Sequence, residues 1–325
     1  MTALADAVPD DAHRRAAETA LATATREPPR GVEALGRGNR KLTRLVRFDD
    51  RSPVVLQLSP DRHRLGTESA LLAGIRERTE VPVPRVLASG ATDGVAFLVT
   101  AYVEGADLHE RFTGLASRTQ RAVSRAFGRH LGALHEAFAF EGYGALAVAN
   151  ESTGDEDGAL AARSGNWHEW FVEYGRSAVD RLPAAFDAVR EDLRGVLDAH
   201  PRDQSPSPRL FPWDFRPGNA LVADGGVTAV LDWEAPKAAA PALSAAKAEY
   251  LVADWYVDDP EPLRSAFVAG YERVREYPTV RPAHRVAAIA DSAVDSTGAV
   301  TNPRYPELDR EAAVAFHRSR LAECL

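Results

Sequence analysis

Hydrophobic and polar positions change their period near residue 105. Before that point short apolar runs alternate with turns, and Val32 to Leu35, Lys41 to Phe48, Pro53 to Leu58, Arg85 to Ala88 and Val95 to Tyr102 read as strands. Two helices interrupt them. One is an alanine-rich segment from Asp10 to Arg26, capped by Asp10 or Asp11. The other runs from Leu65 to Arg78, where Leu65, Leu71, Leu72 and Ile75 recur at helical spacing around Glu68. Gly36-Arg37-Gly38-Asn39 marks a turn between the first two strands, and Pro82 and Pro84 end the second helix. Beyond Gly105 the pattern is helical over Ser117 to Phe138, Trp167 to Arg181 and Pro183 to Ala199. Glu151 to Gly158 reads as a solvated acidic loop and Pro201 to Pro208 as a polar linker. The only strand-like pair in this half is Ala220 to Val222 with Val227 to Leu231, joined by Asp224-Gly225-Gly226 as a tight hairpin. The fold class is therefore α+β in two lobes: residues 1–103 as an antiparallel sheet with helices, and residues 104–325 as a mainly helical lobe.

A length of 325 residues agrees with two lobes. The net charge of −8 is too acidic for a broad nucleic-acid-binding face. Apolar runs such as Val95 to Val99 fall far short of the roughly 20 residues of a membrane span. The acidic N-terminal stretch also lacks a signal peptide's basic start. A single cysteine, Cys324, permits no internal disulfide and no cysteine-based metal cluster, which fits a reducing cytoplasm. Only three of the 39 basic residues are lysines, Lys41, Lys237 and Lys247, so the position of each is informative.

The densest polar constellation is Pro212-Trp213-Asp214-Phe215-Arg216-Pro217-Gly218-Asn219, followed after the hairpin by Leu231-Asp232-Trp233-Glu234. A loop and a hairpin can bring Asp214, Asn219 and Asp232 together, and these hard oxygen donors suit Mg²⁺ carrying substrate phosphates. The same spacing serves the catalytic and metal-binding loops of protein kinases. Asx-turns are the plainer reading of such residues. The constellation resembles the aminoglycoside phosphotransferase family, whose motif runs approximately His-Gly-Asp-x-x-x-Gly-Asn and then Ile-Asp-Trp-Glu. Further resemblance lies in Val81-Pro82-Val83-Pro84, Phe97-Leu98-Val99, Gly105-Ala106-Asp107-Leu108 and Leu131-Gly132-Ala133-Leu134-His135. It implies a bilobal protein-kinase-like fold and transfer of a phosphoryl group from ATP, or another nucleoside triphosphate, to the hydroxyl of a small molecule with Mg²⁺. By the same resemblance Asp214 is catalytic, Asn219 and Asp232 hold metal, Gly36 and Gly38 cover the phosphates, Thr100 guards the rear of the pocket, and Ala101 to Val103 form the hinge facing adenine.

Two positions depart from the family pattern: Pro212 replaces the motif's His, and Gln57 replaces the strand Lys that pairs with a helix Glu, here Glu68. A neutral amide is worth about 0.5–1.5 kcal/mol in a hydrogen bond against roughly 1.5–3 for a charged donor. Lys41 is the candidate replacement, because Gly36-Arg37-Gly38-Asn39-Arg40-Lys41 looks like the arrangement in the with-no-lysine kinases. A solvated strand-edge charge is the alternative. If the losses mark abandoned catalysis, the chain is instead a nucleotide-binding regulatory module. Trp167, Trp170 and His135 read as packing residues. Glu169, Glu173 and the acidic loop hint at a cationic acceptor.

Overall fold

In the computed structural model, which describes residues 4–8, 10–35, 41–148, 159–163, 165–202 and 205–325, the strand-rich part folds into one antiparallel sheet. Its chain order is α1 (Leu4–Ala7), α2 (Asp11–Ala24), β1 (Gly31–Ala34), β2 (Leu42–Arg47), β3 (Val54–Ser59), α3 (Arg62–Arg78), β4 (Val86–Thr92) and β5 (Val95–Ala101), with the strands arranged β1-β2-β3-β5-β4. The continuous apolar run of β5 has a direct cause. Val95, Phe97 and Val99 face a core shared with α2, while Ala96 and Leu98 face the core on the α3 side. With both faces covered, both sets of alternate positions over residues 95–99 are apolar. On β3 the residues Val54, Leu56 and Leu58 join the α2 core. Gln57 stands in register with Thr43 of β2 and Leu98 of β5, on the opposite face.

Asp61 caps α3 by accepting the Arg64 amide at 3.0 Å. The buried side of α3 is not purely apolar: Thr67, Glu68 and Ser69 are buried beside Leu65, Leu71, Leu72 and Ile75. This corrects the simple amphipathic reading, and the reason is that Glu68 has an ionic partner within the fold.

The second part comprises β6 (Ala106–Asp107), α4 (Leu108–Arg111), α5 (Ser117–Ala137), β7 (Gly144–Ala145), β8 (Ala147–Val148), β9 (Leu160–Ala161), α6 (Trp167–Arg181), α7 (Asp187–Asp198), β10 (Arg209–Phe211), β11 (Ala220–Ala223), β12 (Gly226–Val230), β13 (Lys237–Ala239), α8 (Pro241–Glu249), α9 (Glu261–Tyr271), α10 (Pro282–Ser292) and α11 (Arg310–Ala322). The hairpin is not the only pairing here, because β10, β13 and β7 form one small sheet and β12, β11 and β6 another. Strands of two or three residues show no period of two, so only tertiary pairing reveals them. Asp224 and Gly225 take the left-handed conformation that a tight hairpin turn requires. The Gly36 to Asn39 turn and the Glu151 to Gly158 loop lie outside the described residues. Among the described residues no helix is long and apolar enough to cross a membrane.

Candidate active site

The hairpin β11–β12 organises the site, because residues 212–219 lead into it and residues 231–234 lead out. The Leu231 amide donates to the Asn219 carbonyl at 2.7 Å, tying the two ends together. Asn219 Nδ2 donates to the Asp214 carbonyl at 3.0 Å and to its Oδ2 at 2.9 Å, while Arg216 Nε donates to Oδ1 at 2.7 Å. Trp213 and Asp232 both adopt positive φ, 62° and 60°, a conformation that non-glycine residues keep only where surrounding contacts hold it. With Pro212 in place of a histidine, the loop is braced from elsewhere. The Asp214 amide donates to the Pro212 carbonyl at 2.8 Å, and Trp213 Nε1 donates to Asp291 Oδ2 on α10 at 2.7 Å.

Lys41 points into the cleft. Its Nζ lies 3.0 Å from Glu68 Oε2, 3.6 Å from Asp232 Oδ1 and 3.7 Å from Glu234 Oε2. The Lys41 and Glu68 side chains are only 14% and 4% exposed, so this is not a solvated strand-edge charge. Gln57 lines the same cavity, and its Oε1 is buried with no partner among the described residues.

Burial opposes ionisation of Lys41, but the Glu68, Asp232 and Glu234 carboxylates outweigh it and raise its pKa. Asp232 is pushed up to about 6 by burial, with Lys41 opposing and Glu234, Glu68 and Asp214 adding like-charge repulsion. Asp214 is also buried, yet Arg216 and Lys247 hold its pKa below the usual carboxylate value. One end of the cleft therefore holds an excess of negative charge, which a divalent cation would offset. Among the described residues no three His, Cys, Asp or Glu side chains could enclose a metal alone. The available donors are the Asp232 carboxylate and the Asn219 Oδ1, which no described donor reaches once Nδ2 has bonded Asp214. Such a pair fits Mg²⁺, which keeps part of its shell for water and substrate phosphates.

A cavity of about 450 Å³ brings Lys41, Gln57, Asp214 and Asp232 together. Thr100, Ala101 and Val103 do not line it; Thr100 is buried on β5 opposite Val55 and Val86. The Ala101 amide donates to Arg85 and the Tyr102 amide to Pro53, whereas Val103 makes no hydrogen bond among the described residues. Sequence reasoning gave no role to Arg216, Trp213, Lys247 or Asp291, all of which line the cavity. The scarcity of lysine was the available signal, since Lys41 and Lys247 line the cavity and Lys237 stacks 4.4 Å from the Trp213 ring centre. Trp167 is buried against Phe171, and His135 bonds Tyr271 and Ser244, both as packing residues. Glu169 and Glu173 line a separate groove along α6 and α7, away from Asp214, and so do not mark this cavity as one for a cation.

Several known proteins are similar to this chain. APH(4)-Ia, an aminoglycoside phosphotransferase, superposes with a TM-score of 0.60 at 16% identity, over 91% of this chain and 93% of that one. The GDP and kanamycin complex of APH(2")-IIIa gives 0.60 at 15% identity, over 96% and 97%. At these identities the likeness shows the fold, which is protein-kinase-like and bilobal. A curated relative from Arabidopsis thaliana, "Probable acyl-CoA dehydrogenase IBR3", is 26% identical over 197 residues, 55% of this chain, but the matched stretch is only 22% of that protein's length. The model of the phosphotransferase enzyme family matches residues 31–283, a span that includes Lys41, Glu68, Asp214 and Asp232. By that match, the chain belongs to the phosphotransferase enzyme family.

Proposed function

We propose that this protein transfers the γ-phosphoryl group of ATP to a hydroxyl of a small molecule with the help of Mg²⁺. In this reading residues 1–103 hold the nucleotide and residues 104–325 hold the acceptor. The observation that carries it is the Lys41 ammonium, anchored by Glu68 and 3.6 Å from Asp232, in the cavity that Asp214 also lines. That ammonium supplies the cation missing at Gln57, which removes the main ground for a non-catalytic module. Further support comes from APH(4)-Ia, whose fold this chain shares and which has been crystallised with AMP-PNP and hygromycin B.

Mg²⁺ held by Asn219 and Asp232 would neutralise charge on the phosphates. The acceptor oxygen bonds to the γ-phosphorus as the bridging bond to ADP breaks, and ADP leaves with that electron pair. Asp214 orients the acceptor hydroxyl and takes its proton. Its depressed pKa keeps it ionised at neutral pH, and each carboxylate oxygen retains a lone pair beyond its bond to Arg216 or Asn219. Lys41 would face the phosphates, and the main chain of Val103, which makes no hydrogen bond among the described residues, would meet the adenine edge with Thr100 and Ala101 behind it. Gly36 and Gly38 would cover the phosphates.

The test is ADP release by the purified chain with Mg²⁺ and a panel of hydroxyl acceptors, compared with Asp214→Asn. Acceptor-dependent ADP release that falls by at least about 10²-fold in the variant supports the reading. Equal turnover by both proteins would show that Asp214 does not act as assigned.

A further inference from the structure

The function proposed above uses Lys41 but neither of the other two lysines. Lys237, at the start of β13 opposite Phe211, places its ammonium 4.4 Å from the centre of the Trp213 ring. Lys247 of α8 places its own 4.5 Å from the same ring. Lys247 also pairs with Asp291, which receives Tyr174 Oη at 2.6 Å and Trp213 Nε1 at 2.7 Å, and Arg181 Nη2 at 2.6 Å on its other oxygen. One carboxylate thus serves Lys247 and Arg181, while Lys237 makes no ion pair or hydrogen bond among the described residues. The charge of Asp214 is already matched by Arg216. Trp213, Lys247 and Asp291 line the cavity and Lys237 sits just outside that lining, on the Trp213 ring, so surplus positive charge lies beside this end of the cavity, whereas the Lys41 end carries surplus negative charge. A half-buried cation with no ion pair is costly until an anion completes it.

Resting on the phosphoryl-transfer reading, we propose that the acceptor carries an anionic group, a carboxylate or a phosphate, that docks beside Trp213 against Lys237 and Lys247 while its hydroxyl meets Asp214. Polycationic acceptors such as kanamycin meet the same surplus as repulsion. Burial, followed by Lys247, lowers the Lys237 ammonium to about 7; Asp291 opposes this, while Arg181 and Arg64 add to it. An anion bound there raises that value and draws in a proton near neutral pH.

The experiment titrates inorganic phosphate and malonate, as anion probes, into the full chain by calorimetry in two buffers of different protonation enthalpy. It is run on the nucleotide-free protein and on protein saturated with AMP-PNP and Mg²⁺. The expected result is anion binding to the nucleotide-loaded protein with proton uptake, weakened about tenfold or more in Lys237→Ala and retained in Lys237→Arg. Anion binding to neither form, binding lost once nucleotide is present, equal binding to Lys237→Ala, or preferential binding of kanamycin each overturns the proposal. Failure of AMP-PNP and Mg²⁺ to bind at all removes the phosphoryl-transfer reading instead, and the nucleotide-free titration then still decides whether Lys237 holds an anion. With labelled ATP, a panel of hydroxy carboxylates and alcohol phosphates distinguishes the two sources of the charge, and phosphorylation of uncharged analogues at equal kcat/KM counts against both.

Discussion

With a glutamine at position 57 on β3, Glu68 takes its counter-ion from Lys41, the residue before the neighbouring strand β2. On the proposed reading, Lys41→Ala weakens nucleotide binding about 10- to 150-fold, the range of one charge-assisted contact. It also leaves the buried Glu68 carboxylate uncompensated, so the melting temperature falls. Adding Glu68→Gln should restore stability but not affinity, while Gln57→Lys in the Lys41→Ala background should recover part of both. Titration calorimetry and thermal melts of the four proteins separate these outcomes; unchanged affinity in Lys41→Ala would make its ion pair purely structural. Asp232 gives a pH prediction with a definite sign. Its folded pKa of about 6 lies above the carboxylate reference, so the empty site is most stable with the proton on, and that contribution is lost as pH rises toward and through 6. Metal needs the ionised form. Mg²⁺-dependent nucleotide binding should therefore strengthen by up to roughly tenfold per pH unit below pH 6 and level off above it. Asp232→Asn should abolish this slope while raising the melting temperature of the ligand-free protein at pH 7. A flat binding profile in the wild type between pH 5 and 7 would overturn the proposed role of Asp232 as a metal ligand.

At the scale of elements, α5 and α9 make the tightest helix contact. A Cβ at Gly128 would overlap the Phe267 carbonyl, and one at Gly270 would overlap the Arg125 carbonyl. The overlap involves main chain on both sides, so no side-chain rotation relieves it, and only separation of the helices can. Gly128→Ala and Gly270→Ala should each cost about 1–3 kcal/mol or more, the range for overpacked cores. Thermal or denaturant unfolding measures this, and substitutions that leave stability unchanged would mean the helices sit farther apart. The same crossing carries Phe127, whose ring meets Phe215, next to Asp214, at 5.0 Å in edge-to-face geometry. Displacement of α5 should therefore also disturb the loop that orients Asp214.

At the scale of the whole molecule, the two faces of the five-stranded sheet have different neighbours. The α2 face closes its own core, while the α3 face belongs to the core that runs through the helical part. Lys41 and Glu68 from the sheet part meet Asp232 and Glu234 from the other, so a ligand binding there bridges both parts. On the proposed function, ATP with Mg²⁺ should raise the melting temperature of the whole chain, by the equivalent of about 2.7 kcal/mol when present at a hundred times its dissociation constant. ATP with EDTA should do much less. No shift at millimolar ATP and Mg²⁺ would contradict nucleotide binding in any form.

The order of the main elements of the N-terminal part, the α+β class and the hairpin between Asp214 and Asp232 were legible in the sequence because each rests on local signals: the period of apolar positions, glycine at a left-handed turn, proline at a helix end. The spacing from Asp214 to Asn219 and Asp232 is likewise a short-range property of one loop and one hairpin. Only the tertiary structure decided the rest. The strands Arg209–Phe211 and Lys237–Ala239 are too short to show a period and exist because distant segments pair. Lys41 could have been an edge-strand charge until packing brought it to Glu68, and Lys237, Lys247 and Asp291 come from three separate elements. Charge balance around a cavity depends on distances between residues remote in the chain. That is why the sequence could indicate a phosphate-handling loop, while the grouping of Lys237, Lys247 and Asp291 around Trp213, on which the proposed anionic acceptor rests, exists only through tertiary packing.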